Sequence, residues 1–562
     1  MKIPYGISDF EKLRNENYLY IDKTKFIEKL DRMGSEYLFF IRPRRFGKSL
    51  FLSTLSHYYD LNNKEQFKDL FGDLYIGKNP TELRNKYIIL KINFSGLNTD
   101  TKEELKNSFR LRLLRAINDV LNGYSDIFGN IDEIEDRLMN IQDISGILEF
   151  FMTEVKKNGQ KVYLIIDEYD HFANDIIAMG DGDFYKEIIR ATGFVRDFYE
   201  TVKIGTESVI DRVFITGISP VMLDDLTSGF NIATNITLNE LTNEMMGFTE
   251  DEVMGIIVES NIDIDKEELL FELRKNYNGY LFNKNSQERL YNPDMILHFF
   301  NQWLMTGNYP DQLINDNVRT DYGRINRLVA NEANREVLEE IILDEGIVAD
   351  IITRFSFDMM YDEEYFVSLL YYMGLLTIGN IKYGKTRLEI PNHVTRVIFW
   401  EYIERRLKNE FGISYDIEEM AKSIWQMGFD GEIEPFLAYI SENVLNKLSN
   451  RDLINFDEKY IKVILFSYLV TSNLYRPVSE PEVENGYIDI YLERDIRMPE
   501  VKYEWIIELK YLRKSEKDKL PEVKEEGLAQ LKEYAASRRF MNEDNIKQVL
   551  IVFIGKDEYL VY

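Results

Sequence analysis

The chain contains no cysteine. Disulfide scaffolds, thiolate zinc sites and cysteine nucleophiles are therefore excluded together, and a reducing compartment fits. Histidine is almost as scarce. The four present, His57, His171, His298 and His393, are scattered without metal-ligand spacing. No G-x-S-x-G elbow occurs, so a serine hydrolase finds no support. The first residues, MKIPYGISDFEKLRNENY, lack a basic region followed by an apolar run, so no signal peptide is expected. The longest apolar stretch, Phe366–Ile378 (FVSLLYYMGLLTI), is too short to span a bilayer and reads as a core helix running into a strand. These absences point to the cytoplasm and away from a membrane. Low-complexity segments and fixed-period repeats are also lacking.

Positive charge is short as well. Over 562 residues the formal net charge is −29, and a uniformly acidic surface repels phosphate backbones. The deficit is uneven. Residues 451–562 carry 18 Lys and Arg against 22 Asp and Glu, a balance of about −4, which leaves about −25 upstream. A nucleic-acid groove is thus admissible in the C-terminal part, where metal ions would offset site carboxylates. What is present in ordinary measure is hydrophobic content, 45%, and at this length several domains are expected. The 18 Met, 36 Tyr and 35 Phe are most simply core and surface filling.

Tyr37–Ile41 is a short apolar strand, followed by RPRRFGKS and a helical pattern from Lys48 to about Tyr59. Strand, turn, helix is the setting of a phosphate-binding loop. Gly47, Lys48 and Ser49 match G-x-x-x-x-G-K-[ST], but Arg42 holds the first glycine position. Lys48 would reach the β- and γ-phosphates of ATP and Ser49 would bind Mg²⁺, with Arg44, Arg45 and Phe46 in the loop. Gly47 permits close backbone approach, and the helix N-terminus favours the anion. Taken alone, such a loop can equally be a basic surface turn.

A second motif changes that balance. Val162–Ile166 is an apolar strand ending in Asp167, placed to hold Mg²⁺, and Glu168, placed to polarise water. Tyr87–Phe94 is a strand between the two motifs, which suits the P-loop class with an inserted strand and a catalytic glutamate. Arg212–Thr216 is a further strand, so Thr216 and Ser219 can sense the γ-phosphate. Strands alternating with helices (about 101–121 and 144–157) imply a parallel sheet covered on both faces, with its site at the carboxyl strand ends.

Further along, 239–330 reads as mostly helical. Residues 375–391 read as a hairpin turning at Tyr383-Gly384-Lys385 within a winged-helix-like unit, and 400–450 as helical again. From Asp457 a small mixed α/β region begins. Asp489 in GYIDIY and Glu508 in WIIELK lie about twenty residues apart on alternating segments, like strands of a hairpin. Alternation puts Glu508 and Lys510 on one face. Asp489 and Glu508 can share a divalent cation, Mg²⁺ or Mn²⁺, and Lys510 can stabilise charge at phosphorus. Glu458 on an upstream helix offers a third carboxylate. Gln530 and Tyr534, four apart, share one face of a downstream helix. This order resembles the PD-(D/E)XK arrangement with a Gln-x-x-x-Tyr helix.

The segments IPYGISDFEKL, YLYIDKT, RPRRFGKSLFLSTL, IIDEYD, FITGIS, GFTEDEV and YNGYLF…LYNP, with YYMGLLTI…LEIPN, resemble the bacterial AAA-ATPase-like family, whose members commonly carry a C-terminal PD-(D/E)XK nuclease-like domain. Arg42 agrees with that family's own RPRRFGKS form, while His171-Phe172 departs from its usual lysine-proline. The resemblance implies that Tyr20, Asp22, Lys23 and Thr24 lie near the nucleotide, although Asp22 or Thr24 can equally be an ordinary helix cap. It implies too that Asn278-Gly279-Tyr280 and Asn292-Pro293 shape a helical lid. The expected organisation is an ATPase core at 1–240, a helical lid at 241–330, a winged-helix-like and helical middle at 331–450, and a nuclease-like domain at 451–562. The expected function is ATP binding and hydrolysis regulating Mg²⁺-dependent cleavage of DNA or RNA. The alternative is a nucleotide-dependent switch whose nuclease-like fold only grips a partner. No arginine finger is identified, and a homo-oligomer is left open.

Overall fold

The computed structural model describes residues 1–562 apart from 180–181, 190–192, 223–230, 316–317, 320–328, 330–331, 356–361, 383, 449–456, 485, 538–539, 541–544 and 557. The chain forms two compact units. One comprises residues 1–308, 313–341 and 345–393; the other comprises 309–312, 342–344 and 394–562. The stretch 331–450 therefore falls partly in each.

The first unit is built on a parallel sheet. Its strands are β1 (Tyr37–Ile41), β2 (Ile88–Asn93), β3 (Val162–Asp167), β4 (Ile210–Gly217) and the short β5 (Thr234–Asn235), in the order β2-β3-β4-β1-β5. All six residues of β3 are buried, as an uninterrupted apolar run flanked on both faces must be. Helix Lys48–Tyr59 packs on β2 and β3, and helix Phe194–Thr206 on β4. Helix Lys102–Gly123 begins where the Thr101 side chain accepts from Glu104 N, and Leu105, Phe109, Leu113 and Ile117 are its buried stripe.

The sheet order refines one expectation. The 88–93 strand lies between the two phosphate-site motifs along the chain, but in the sheet it takes the outer edge. The strand that separates β1 from β3 is β4. Gly217 ends β4 where nothing larger fits, since a Cβ there would lie 2.2 Å from Asp170 Oδ1.

Among the described residues, the expected helical run after residue 239 holds three long helices, Glu250–Ser260, Lys266–Tyr277 and Pro293–Thr306. It is interrupted at 278–292, where the chain turns back on itself and Tyr280 bridges Leu290 antiparallel. Helix Glu363–Tyr372 leads into the hairpin, here three-stranded: β6 (Gly346–Val348), β7 (Thr377–Lys382) and β8 (Lys385–Glu389), in the order β6-β8-β7. Of the expected turn, Tyr383 lies outside the described residues.

The second unit contains the helices His393–Glu410 (from Val394 on), Ile417–Phe429, Glu434–Asn443, Glu458–Leu469 and Leu520–Ala535. Its strands are β9 (Tyr475–Ser479), β10 (Glu482–Val483), β11 (Gly486–Tyr487), β12 (Ile490–Arg494), β13 (Glu504–Leu512), β14 (Ile546–Ile554) and β15 (Glu558–Val561). Five of them form the sheet β15-β14-β13-β12-β9, in which only β13 and β14 run parallel. Helix Leu520–Ala535 packs on β13 and β14, burying Leu531 and Tyr534 against Ile506, Leu550 and Val552. Among the described residues, no helix is long and apolar enough to cross a membrane.

Candidate nucleotide site and candidate carboxylate site

The loop 42–47 leaves β1 and turns through left-handed residues, Arg45 at φ +65° and Gly47 at φ +91°. Only Gly47 adopts this without steric cost. It caps helix Lys48–Tyr59, whose N-terminus opens onto a cavity of about 420 Å³. The loop residues Arg44 to Ser49 line it, together with Glu168. Lys48 Nζ donates to the carbonyls of Arg42 and Pro43, both at 2.9 Å. Burial pulls this ammonium down to about 8, against the fields of Asp167, Asp170 and Glu168. Ser49 Oγ donates to Asp167 Oδ2 at 2.8 Å, so the hydroxyl and carboxylate expected to share Mg²⁺ meet.

Glu168 follows at φ +51°, and burial raises its carboxyl while His171, Lys48 and Arg44 pull it back. His171 stands with Nε2 3.9 Å from Glu168 Oε2. Phe172 is buried edge-on to Phe94 and Phe109.

Arg42 does not line the cavity. Its guanidinium turns into the core, 1% exposed, and donates to the carbonyls of Ile41 at 3.0 Å, Thr237 at 2.8 Å and Thr242 at 2.9 Å. It lies over the rings of Phe40 and Phe282. The departure from glycine is thus an anchor tying the end of β1 to the 237–242 segment.

Thr216 and Ser219 do not reach the cavity; Ile218 does. Ser219 Oγ donates to Asp170 Oδ2 at 2.9 Å and also contacts Asn174 Oδ1, whereas Thr216 Oγ1 is buried without a hydrogen bond. Sequence reasoning passed over Asp170, the last residue of DEYD. It is fully buried and accepts from Ile218 N and Ser219 N, holding the turn after β4 against the turn after β3. It also passed over Asn93, whose side chain reaches Asp167 Oδ2 at 3.4 Å. A polar residue closing an apolar strand was the available signal.

The segment before the loop divides. Tyr20 and Lys23 line the cavity, and Lys23 Nζ pairs with Glu252 at 2.7 Å. Asp22 and Thr24 are structural: Asp22 accepts from Thr24 N and Tyr75 N, and Thr24 Oγ1 accepts from Ile76 N. Asn292 caps helix Pro293–Thr306, whose Pro293, Asp294 and Leu297 face the cavity. Residues 278–280 do not line it. Gly279 is wedged where a Cβ would lie 2.0 Å from the Pro391 carbonyl.

In the second unit, Asp489 immediately precedes β12. The pairing of Ile490 with Ile507 therefore sets it opposite Glu508. GYIDIY is not one strand: Gly486–Tyr487 pairs with β10, and Asp489 sits at the break. Asp489 Oδ2 accepts from Leu509 N at 2.8 Å. Lys510 Nζ donates to Glu508 Oε1 at 2.6 Å, as expected of side chains two apart on a strand, while Glu508 Oε2 is buried without a hydrogen bond. Burial and then the Asp489 charge push Glu508 up to about 7. Burial and Asp489 likewise push Glu458 up to about 7, with Lys510 and Lys462 opposing. Burial pulls Lys510 down, but Glu508, Asp489 and Glu458 outweigh it and leave the ammonium above its ordinary range.

Tyr534 also belongs to this cluster. Burial, then Glu508 and Asp489, lift its hydroxyl to about 12. One turn earlier, Gln530 Oε1 is buried without a hydrogen bond. Among the described residues no group of three or more His, Asp or Glu side chains is drawn together as a finished metal site. The orphaned Glu508 oxygen and the mutually crowded carboxylates nevertheless fit a divalent cation, which would relieve both.

Comparison with known proteins agrees with this division. Residues 4–227 match the AAA-ATPase-like family, described as predicted AAA-ATPase, and residues 456–561 match the PD-(D/E)XK nuclease superfamily. An uncharacterized protein in the vnfD 5' region of Azotobacter chroococcum mcd 1 is 26% identical over 407 residues, 70% of this chain and 67% of that protein. Among solved structures, the Walker-type ATPase PABY2304 of Pyrococcus abyssi aligns over 71% of this chain and 98% of its own, at 12% identity and a TM-score of 0.40. The Aeropyrum pernix ORC1 protein in complex with DNA aligns over 69% and 94%, at 10% identity and a TM-score of 0.27.

Proposed function

We propose that this chain, an AAA-ATPase-like module joined to a PD-(D/E)XK nuclease-superfamily module, couples the binding and hydrolysis of ATP to Mg²⁺-dependent cleavage of nucleic-acid phosphodiesters in the bacterial cytoplasm. The observation that carries the reading is the convergence of Glu458, Asp489, Glu508, Lys510 and Tyr534, residues from four separate chain segments, into one mutually perturbed cluster.

In the first unit, the triphosphate would take Lys48 from the Arg42 and Pro43 carbonyls, with the helix N-terminus and Arg44 and Arg45 beside it. Ser49 and Asp167 would hold Mg²⁺, and Glu168 would orient the attacking water. Occupation of the cavity would engage Pro293, Asp294 and Leu297 on helix Pro293–Thr306, a route from nucleotide state to the position of the expected lid. In the second unit, Asp489 and Glu508 would hold Mg²⁺ or Mn²⁺, with Glu458 as a further carboxylate. A bound divalent cation supplies Lewis-acid stabilisation and a more acidic water. Lys510 would meet the charge developing at phosphorus, and Tyr534 with Gln530 would close the far side of the cluster.

A second reading has one observation in its favour, the −25 of net charge upstream of residue 451. In it the P-loop module is a switch and the nuclease-like fold grips a partner without cutting. Incubation of plasmid and single-stranded DNA or RNA with Mg²⁺ or Mn²⁺ separates the two. Cleavage that disappears in Asp489→Ala supports the nuclease. Intact substrates in every condition, beside measurable ATP turnover, sink it in favour of the switch.

A further inference from the structure

We propose that Lys462 grips a backbone phosphate of the nucleic acid beside the carboxylate cluster, and that Glu480 occupies this lysine until the phosphate displaces it. The inference rests on the C-terminal site handling nucleic acid, and it names a residue that neither the motif nor the strand pattern marks.

Lys462 lies one turn after Glu458 on helix Glu458–Leu469, so the two side chains leave the same face. The lysine is buried, 6% exposed, and its charge is felt at Glu458. It bonds none of the three clustered acids. Nζ donates instead to Glu480 Oε1 at 2.7 Å. Glu480 is an odd partner for a buried ammonium. Its side chain is 59% exposed, and its backbone is left-handed at φ +48°, which a non-glycine residue adopts only where the surroundings hold it. Its N–H points to the carbonyl of Asp489 at 3.4 Å, which sets the Glu480 backbone beside the cluster.

A buried ammonium needs an anion, and the cheapest arrangement pairs it within the core. Here the anion comes from a side chain held at the solvent edge, beside the residue expected to bind metal. A phosphodiester oxygen offers the same charge and the same acceptor chemistry as that carboxylate, and exchanging one for the other releases Glu480 to water. The two lysines would then divide the work: Lys510, tied to Glu508, serves the reacting phosphate, and Lys462 serves a neighbouring one.

The test measures binding of labelled DNA and RNA oligonucleotides, single-stranded and duplex, to the full chain in the non-cleaving Asp489→Ala background. Lys462→Met keeps the buried stem without its charge. It is expected to weaken binding about tenfold near 0.1 M salt and to shallow the salt dependence by about one phosphate. Glu480→Gln is expected to tighten binding several-fold. Opposite signs are what a merely structural ion pair would not produce, since breaking it from either side perturbs the same contact. Lys462→Arg, which preserves charge, should bind within about threefold of the parent, guarding against loss by misfolding. Two variants that weaken binding together, or leave it unchanged, overturn the proposal. If the wild-type chain cleaves nothing with Mg²⁺ but the opposite signs persist, the nuclease reading fails and this one stands. A parent that binds no nucleic acid overturns both.

Discussion

Arg42, in the nucleotide-site unit, and Glu508, in the carboxylate-site unit, are each 1% exposed. Arg42 is held by three main-chain carbonyls and two aromatic rings, with Nε left over, and burial pulls its guanidinium down to about 9. Glu508 has one lysine, one orphaned oxygen and the charge of Asp489 nearby. The same contrast runs through the two sites. Lys48 is taken up by the Arg42 and Pro43 carbonyls and Ser49 by Asp167 without a ligand, whereas Glu458 and Glu508 are pushed toward neutrality. Buried charge at the first site is thus paired inside the protein. At the second site Glu508 is left short of partners, and the shortfall is where a cation from outside would fit.

The largest effect expected on this account is at the crowded site. Asp489→Ala or Glu508→Gln should lower metal-dependent cleavage by about 10³-fold or more, read as an initial strand-scission rate. Glu508→Gln should at the same time raise the melting temperature of the metal-free protein at pH 8, because it removes a charge the fold does not satisfy. Next, Lys48→Ala should cut ATP turnover by about 10²-fold, measured as phosphate release.

Arg42→Gly sharpens the contrast from the other side. It brings the loop closer to the general motif, yet it should destabilise the first unit by about 3 kcal/mol, because the Ile41, Thr237 and Thr242 carbonyls lose their donor. Denaturant unfolding checks this, and an unchanged or more stable variant would break the distinction drawn between the two buried charges.

The smallest effect is on pH dependence. Glu458 and Glu508 have folded-state values of about 7 against an ordinary 4.5. The stability they lend is complete below about pH 4.5 and is lost as pH rises through about 7. A divalent cation should therefore raise the melting temperature more at pH 8 than at pH 5, and Asp489→Ala should flatten that difference.

Much of this was legible in the sequence where one residue type has one job. The apolar runs at 37–41 and 162–166 could only be buried strands, and Gly47-Lys48-Ser49 with Asp167 could be placed at their carboxyl ends. The two-residue repeat correctly put Glu508 and Lys510 on one face. What stayed hidden depends on contacts distant in the chain. Arg42 could be read as a departure from the general loop but not as an anchor, because two of its carbonyl partners lie some 200 residues away. Ser219 looked like a phosphate sensor because nothing local showed that Asp170 claims its hydroxyl. The break at Asp489 was unreadable because both flanking segments alternate as strands, and only the pairing of Gly486–Tyr487 with β10 divides them.

The central claim is that nucleotide state governs phosphodiester cleavage. Its most direct test compares the initial rate of Mg²⁺-dependent strand cleavage with and without ATP, in the wild-type chain and in Lys48→Ala. The account predicts a rate that changes with ATP in the wild type and is indifferent to ATP in Lys48→Ala. Equal rates with and without ATP in a wild-type chain that cleaves and turns over ATP would contradict it.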